Sequence, residues 1–115
     1  LRQRLSHMRF STAAELRSLP GGRRVRTAGI VTGRQRPDTA SGAVFVTLED
    51  ETGYINVIVW RDLTERQRRE LLGARLMGVE GMLEREGDVV HLVARRLSDH
   101  TALLGQLATE SRDFH

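Results

Sequence analysis

Residues 45–60 read Phe45-Val-Thr-Leu-Glu-Asp-Glu-Thr-Gly-Tyr-Ile-Asn-Val-Ile-Val-Trp60. Two runs rich in branched and aromatic side chains, Val44 to Leu48 and Tyr54 to Trp60, flank the polar turn Asp50-Glu51-Thr52-Gly53. Such residues suit a pleated surface, and glycine at the end of the turn tolerates a positive φ, so the pattern predicts a tight hairpin. Side chains alternate across a strand. Val44, Val46 and Leu48 therefore join Ile55, Val57 and Val59 on one aliphatic face, which predicts the core side. Phe45, Thr47, Tyr54, Asn56, Ile58 and Trp60 stand on the other. A sheet face that mixes rings with polar groups is suited to stacking and hydrogen-bonding nucleobases.

The neighbouring segments extend this hairpin into a set of five strands. Arg24-Val-Arg-Thr-Ala-Gly-Ile-Val-Thr32 reads as a strand, with Gly29 marking a bulge or sharp bend. A loop rich in turn residues follows from Gly33 to Gly42. After Trp60 the period changes to helical over Asp62 to Leu72, stopped by Gly73. Arg75 to Leu83 and Val89 to Ala94 read as two more strands joined by Glu86-Gly87-Asp88. Upstream, Ser11 to Leu19 predicts a short helix capped by Ser11 or Thr12, with Glu15 in its first turn and Pro20-Gly21-Gly22 after it. Ala102 to Ala108 predicts a last helix before a polar tail. A helix between strands three and four of five is the order of an OB-fold, an all-β Greek-key barrel. The expected organisation is a basic N-terminal segment with a short helix over 1–22, the OB-fold domain over 23–97, and a C-terminal helix and tail over 98–115.

The 115 residues carry 18 basic side chains against 15 acidic ones, and every basic one is arginine. Nine of these arginines lie within residues 1–36, where Glu15 is the sole acid. That asymmetry is the electrostatic footprint expected of a polyanion-binding surface, although a solvated face or a contact to acidic protein fits it as well. Arginine adds a planar fork that pairs with phosphate. The absence of cysteine removes disulfides and thiolate metal sites, and no apolar run approaches a membrane span. The chain opens on Leu1, which predicts a segment of a longer protein.

Several stretches resemble a known family. Arg34-Gln-Arg-Pro37, Phe45 to Gly53, Asn56-Val-Ile-Val-Trp60 and Glu65-Arg-Gln-Arg-Arg-Glu-Leu-Leu-Gly73 are similar to the C-terminal region of the bacterial error-prone DNA polymerase. That is the ImuC-type relative of the replicative polymerase III α subunit, in the C family. Val89 to Arg95 and the ending Ser111-Arg-Asp-Phe-His115 resemble the same region. The resemblance implies an OB domain that holds single-stranded template DNA for translesion synthesis in the SOS response, in the bacterial cytoplasm. It implies as partners the rest of the polymerase chain and accessory lesion-bypass proteins, including a Y-family-like one. The parent would be a DNA-directed DNA polymerase, a nucleotidyltransferase. A phosphate-contacting lysine seen in some relatives is missing from Pro37-Asp-Thr-Ala-Ser-Gly42.

Nothing in the residues supports catalysis within the segment. Glu49, Asp50 and Glu51 are contiguous turn carboxylates, for which solvated or capping roles are expected. His7, His91, His100 and His115 lack metal-ligand spacing, and His91 reads as a sheet-surface residue. No cofactor or metal is expected here. The candidate DNA-binding set is Arg26, Arg34, Arg36, Phe45, Thr47, Tyr54, Asn56, Trp60 and Arg61. For Phe45, Tyr54 and Trp60 a second reading stays open, packing under a neighbouring domain or a flanking helix. Arg66, Arg68 and Arg69 alternate with Glu65 and Glu70, which predicts an ion-paired helix surface. Gln106 to Glu110 lacks the anchors of a sliding-clamp motif. A protein-docking module, or an RNA-binding module like that of a tRNA synthetase, are the competing functions.

Overall fold

A computed structural model describes residue 4, residues 9–36 and residues 41–105. The hairpin forms as its alternation predicts. Strand β2 (Val44–Asp50) pairs antiparallel with β3 (Gly53–Val59), setting Val46 opposite Val57 and Leu48 opposite Ile55. All four are buried, whereas Phe45, Tyr54 and Asn56 face out. Burying a Val or Leu side chain is worth roughly 1.5–3 kcal/mol, so a one-residue slip of register would be prohibitive here. Gly53 takes φ 143°, and a Cβ there would run into the Arg17 guanidinium.

Around the hairpin, β1 (Arg24–Gln35), β4 (Leu76–Glu86) and β5 (Val89–Asp99) close a barrel in the order β1-β2-β3-β5-β4. Every pairing is antiparallel except that of β3 with β5. This is the five-stranded OB-fold. Val46, Leu48, Val57, Val59, Met77, Val79, Leu83, Leu92 and Leu97 fill it. Every strand of the closed barrel has two neighbours, and β1 meets its two on successive halves of its length. β1 pairs with β4 from Arg24 to Ile30, then with β2 from Ile30 to Gln35. At the handover a Cβ on Gly29 would sit 2.9 Å from the Glu49 carbonyl oxygen, a separation that requires glycine. Of the bulge or sharp bend expected at Gly29, the bulge falls instead at Thr32, between Val31 and Gly33. Gly29 provides close approach of two backbones, and Thr32 absorbs the extra residue.

The strands run further than the apolar pattern predicts. β1 continues through Arg34 and Gln35, β4 through Glu84-Arg-Glu86, and β5 to Asp99. Backbone pairing sustains the polar ends of β1 and β4, while the extension of β5 also carries Leu97 into the core. Helix α1 (Ala13–Arg17) forms with Thr12 as its cap: Glu15 N donates to Thr12 Oγ1 and Thr12 N donates back to Glu15 Oε1, a capping box. The helix expected over Asp62 to Leu72 is two pieces, α2 (Arg61–Arg66) and α3 (Arg68–Gly73), broken at Gln67 (φ −118°, ψ 39°). The break has a tertiary cause. The Gln67 side-chain amide donates to Leu97 O (2.8 Å) and accepts from Leu97 N (2.7 Å). Of the last helix, expected over Ala102 to Ala108, residues 102–105 are helical, and the helix begins one residue earlier at Thr101. Its remainder, the clamp-motif test at Gln106 to Glu110, the Ser111–His115 ending, His7 and loop residues 37–40 lie outside the described residues.

Candidate nucleic-acid interface

Four strands contribute to one open groove, and the registers give its layout. Gly33, Thr47, Asn56 and His91 form one row across β1, β2, β3 and β5, and Gln35, Phe45, Ile58 and Val93 form the next. All of these but Val93 line the groove. The first row is polar: Thr47 Oγ1 donates to Asn56 Oδ1 across the strands at 3.4 Å. The second is apolar apart from Gln35 at its β1 end, and Phe45 is 41% exposed on it. Bases can stack on the ring row while their edges meet amide, hydroxyl and imidazole groups. A second hollow, bounded by Arg17, Tyr54, Asp88 and Val89, meets the first at Asn56. Tyr54 is 59% exposed there, and Trp60, 49% exposed, continues the β3 path at the other end.

The arginines divide by location. Arg34 Nε donates to Leu71 O (2.7 Å) and its Nη2 to Ala74 O (2.5 Å), so this guanidinium clamps the end of α3. Arg61 lies against Gly42 and pairs with Glu65 at 3.3 Å, which places it beside the loop that follows β1. Arg36 is exposed where β1 ends. Arg26 is on the other half of β1, with its guanidinium 5.0 Å from the Phe10 ring, away from the groove. The ion-paired surface expected for Arg66, Arg68 and Arg69 does not form. Glu65 turns to Arg61, and among the described residues none of the three has a carboxylate within 4 Å.

The turn carboxylate Asp50 has a capping role. Its Oδ1 accepts from Thr52 N and Oγ1, and its Oδ2 accepts from Ala13 N (2.9 Å), fastening α1 to the β2–β3 turn. Among the described residues no three His, Asp or Glu side chains gather to hold a metal, and no helix is long and apolar enough to cross a membrane. Shifted titrations occur on the far flank. Burial pushes the His100 pKa down against the pull of Asp99, and Arg26 lowers it further. Hydrogen bonds from the Thr101 side chain and backbone lower that of Asp99.

Gln35 and His91 were not predicted as groove residues. No sequence signal marks Gln35, which sits inside the expected loop, and His91 reaches the groove through the parallel pairing of β3 with β5. Local sequence does not encode that pairing.

Barrel topology and an open sheet face together define a class: the chain belongs to the family of OB-fold nucleic acid binding domains, whose model (tRNA_anti-codon) matches residues 25–99. Over its whole length it is 64% identical to an error-prone DNA polymerase of Azoarcus sp. (strain BH72), and over 99% of its length 60% identical to that of Aromatoleum aromaticum (strain DSM 19018 / LMG 30748 / EbN1). The resemblance to error-prone polymerases therefore spans the chain, which covers 11% of the length of each of these relatives. Among solved structures it is similar to asparaginyl-tRNA synthetase from Pyrococcus horikoshii (TM-score 0.64, 20% identity, 79% of this chain and 22% of that one). It also resembles the second OB-fold domain of replication protein A from Methanococcus maripaludis (TM-score 0.56, 15% identity, 73% and 90%). At these identities the likeness is one of fold.

Proposed function

We propose that this chain is the single-stranded DNA-binding OB domain of an error-prone, translesion DNA polymerase, acting in the bacterial cytoplasm during SOS-induced repair. The observation that carries the reading is the groove itself: an apolar row with Phe45 beside a polar row with Thr47 and Asn56, open to solvent on a sealed barrel. The identity to error-prone polymerases supplies the setting. In this reading the domain needs no cofactor and performs no chemistry. It positions template by stacking two or three bases on Phe45, Tyr54 and Trp60, while Arg36 and Arg61 hold backbone phosphates at the loop end. Nucleotide transfer belongs to other parts of the polymerase chain, beside which accessory lesion-bypass proteins assemble. Fluorescence anisotropy with single-stranded DNA and with folded tRNA, at two salt concentrations, tests it. Weak binding of the single strand that falls steeply with salt is expected. Preference for tRNA, or an unchanged DNA affinity in Phe45→Ala, would sink the reading; the latter result would make the face a protein-docking surface.

A further inference from the structure

On the flank beside the groove, β5 turns two successive arginines outward. Its register with β4 slips by one residue, so that Ala94 opposes Gly81, Arg96 opposes Glu80, and Arg95 has no partner. Arg95 and Arg96 are consequently both exposed between buried Ala94 and Leu97. Re-aiming side chains is what a bulge does. Gly81 permits it, since a Cβ there would overlap the Val93 carbonyl oxygen.

The break at Gln67 brings more charge to the same place. Its two hydrogen bonds to Leu97 hold the junction of α2 and α3 one residue from Arg96. Arg66 and Arg68 flank that anchor, Arg69 follows, and all three are exposed. None of these five arginines has a carboxylate within 4 Å among the described residues. Of the acids nearby, Glu65 pairs with Arg61, and Glu80, opposite Arg96, pairs with Arg24. Glu70 is half-buried, and exposed Asp62 lies one turn before Arg66 but more than 4 Å from it. The patch also joins the groove. Asn56 aligns with His91 and Ile58 with Val93, where the parallel pairing ends, and two residues beyond those partners the chains reach exposed Trp60 and exposed Arg95.

We propose that Arg66, Arg68, Arg69, Arg95 and Arg96 form a phosphate-binding flank that holds the sugar–phosphate backbone of the strand after it leaves the groove past Trp60. The inference rests on the groove being a single-strand site. Guanidinium groups free of intramolecular partners can grip phosphate oxygens in pairs, independent of sequence. The domain then occupies two adjacent stretches of one strand, bases read on the face and phosphates on the flank.

The test uses the 115-residue chain and oligothymidylates of about 5 and about 15 nucleotides, spanning the range of OB site sizes. Anisotropy is measured across a salt series for wild type, an Arg66/Arg68/Arg69/Arg95/Arg96→Ala variant, the same five replaced by Gln, and an Arg23→Ala/Arg75→Ala control. For the long oligonucleotide the fivefold variants are expected to lose about tenfold in affinity, and to flatten the log–log salt dependence by about 0.7 per lost phosphate contact. The short one should bind as to wild type. Unchanged affinity and slope for the long oligonucleotide overturn the flank, as does equal loss for both lengths or in the control. Phe45→Ala separates the two readings. If it abolishes short-oligonucleotide binding while the arginine variants match wild type, only the flank falls. If wild type binds neither length, both fall.

Discussion

Two outer surfaces of one barrel meet different fates. Over the first half of β1, Phe10 and Leu103 from the flanking segments cover Ala28, and the His100 ring meets Phe10 edge-on at 5.4 Å and 75°. Thr27, 1% exposed, donates its hydroxyl to Ser11 O, so even the polar group beneath this cover is satisfied. Over β2, β3 and the helix cap that follows, Phe45, Tyr54 and Trp60 stay 41%, 59% and 49% exposed. The chain thus uses its flanking segments to seal one apolar outer patch and leaves the ring-bearing one open. Rings left exposed beside a sealed core point to a binding face, because exposure there has a cost that burial elsewhere on the same barrel avoids.

Both surfaces rest on the same interior. Leu48→Ala leaves a cavity between both sheet halves and should destabilise the domain by about 2–5 kcal/mol in denaturant unfolding. Loss below about 1 kcal/mol would mean the hairpin face is assigned backwards. Phe10→Ala tests the sealed patch. It should cost somewhat less than the roughly 3–5 kcal/mol typical of a central Phe→Ala change, because Phe10 packs on a small satellite cluster. Single-strand affinity should be unaffected. Tyr54→Ala tests the open patch with the opposite signature: stability within about 0.5 kcal/mol of wild type, and single-strand binding weaker by about 1–3 kcal/mol. A Tyr54 variant that unfolds would erase the distinction between the two surfaces.

The sealed patch also carries a titrating group. The folded-state pKa of His100 is lowered, so the folded state disfavours the proton that the unfolded state accepts near 6.5. Its contribution is fully present above that value and is lost as pH falls through 6.5 toward the folded pKa. Asp99 acts in the same direction at lower pH: its stabilisation is present above 3.8 and is lost as pH falls through its lowered folded value. Thermal unfolding between pH 7.5 and 5.5 should show a small acid-side loss that His100→Gln abolishes, while DNA binding at the groove follows its own profile. An identical pH dependence in His100→Gln would remove His100 from the sealed patch's energetics.

Much of this arrangement was legible in the chain itself. The alternation from Val44 to Trp60 determined which side chains enter the core, because a strand has period two and an aliphatic face must be buried. The capping residues Thr12 and Glu15, the Gly53 turn and the break between helical and extended periods were equally local, and their order specified an OB barrel. Three matters required the tertiary structure. Where β1 changes partners depends on how closely Glu49 approaches Gly29, a contact 20 residues away in sequence. The split at Gln67 comes from an amide seeking the backbone of Leu97, which no helical periodicity foretells. The partners of each arginine were also undecided: alternation with glutamates suggested ion pairs for Arg66, Arg68 and Arg69, yet Glu65 chose Arg61 and Arg34 went to helix carbonyls. Local chemistry determined what each strand would bury. Long-range packing decided which exposed groups stand together, because parallel pairing and barrel closure bring together residues that no short-range pattern relates.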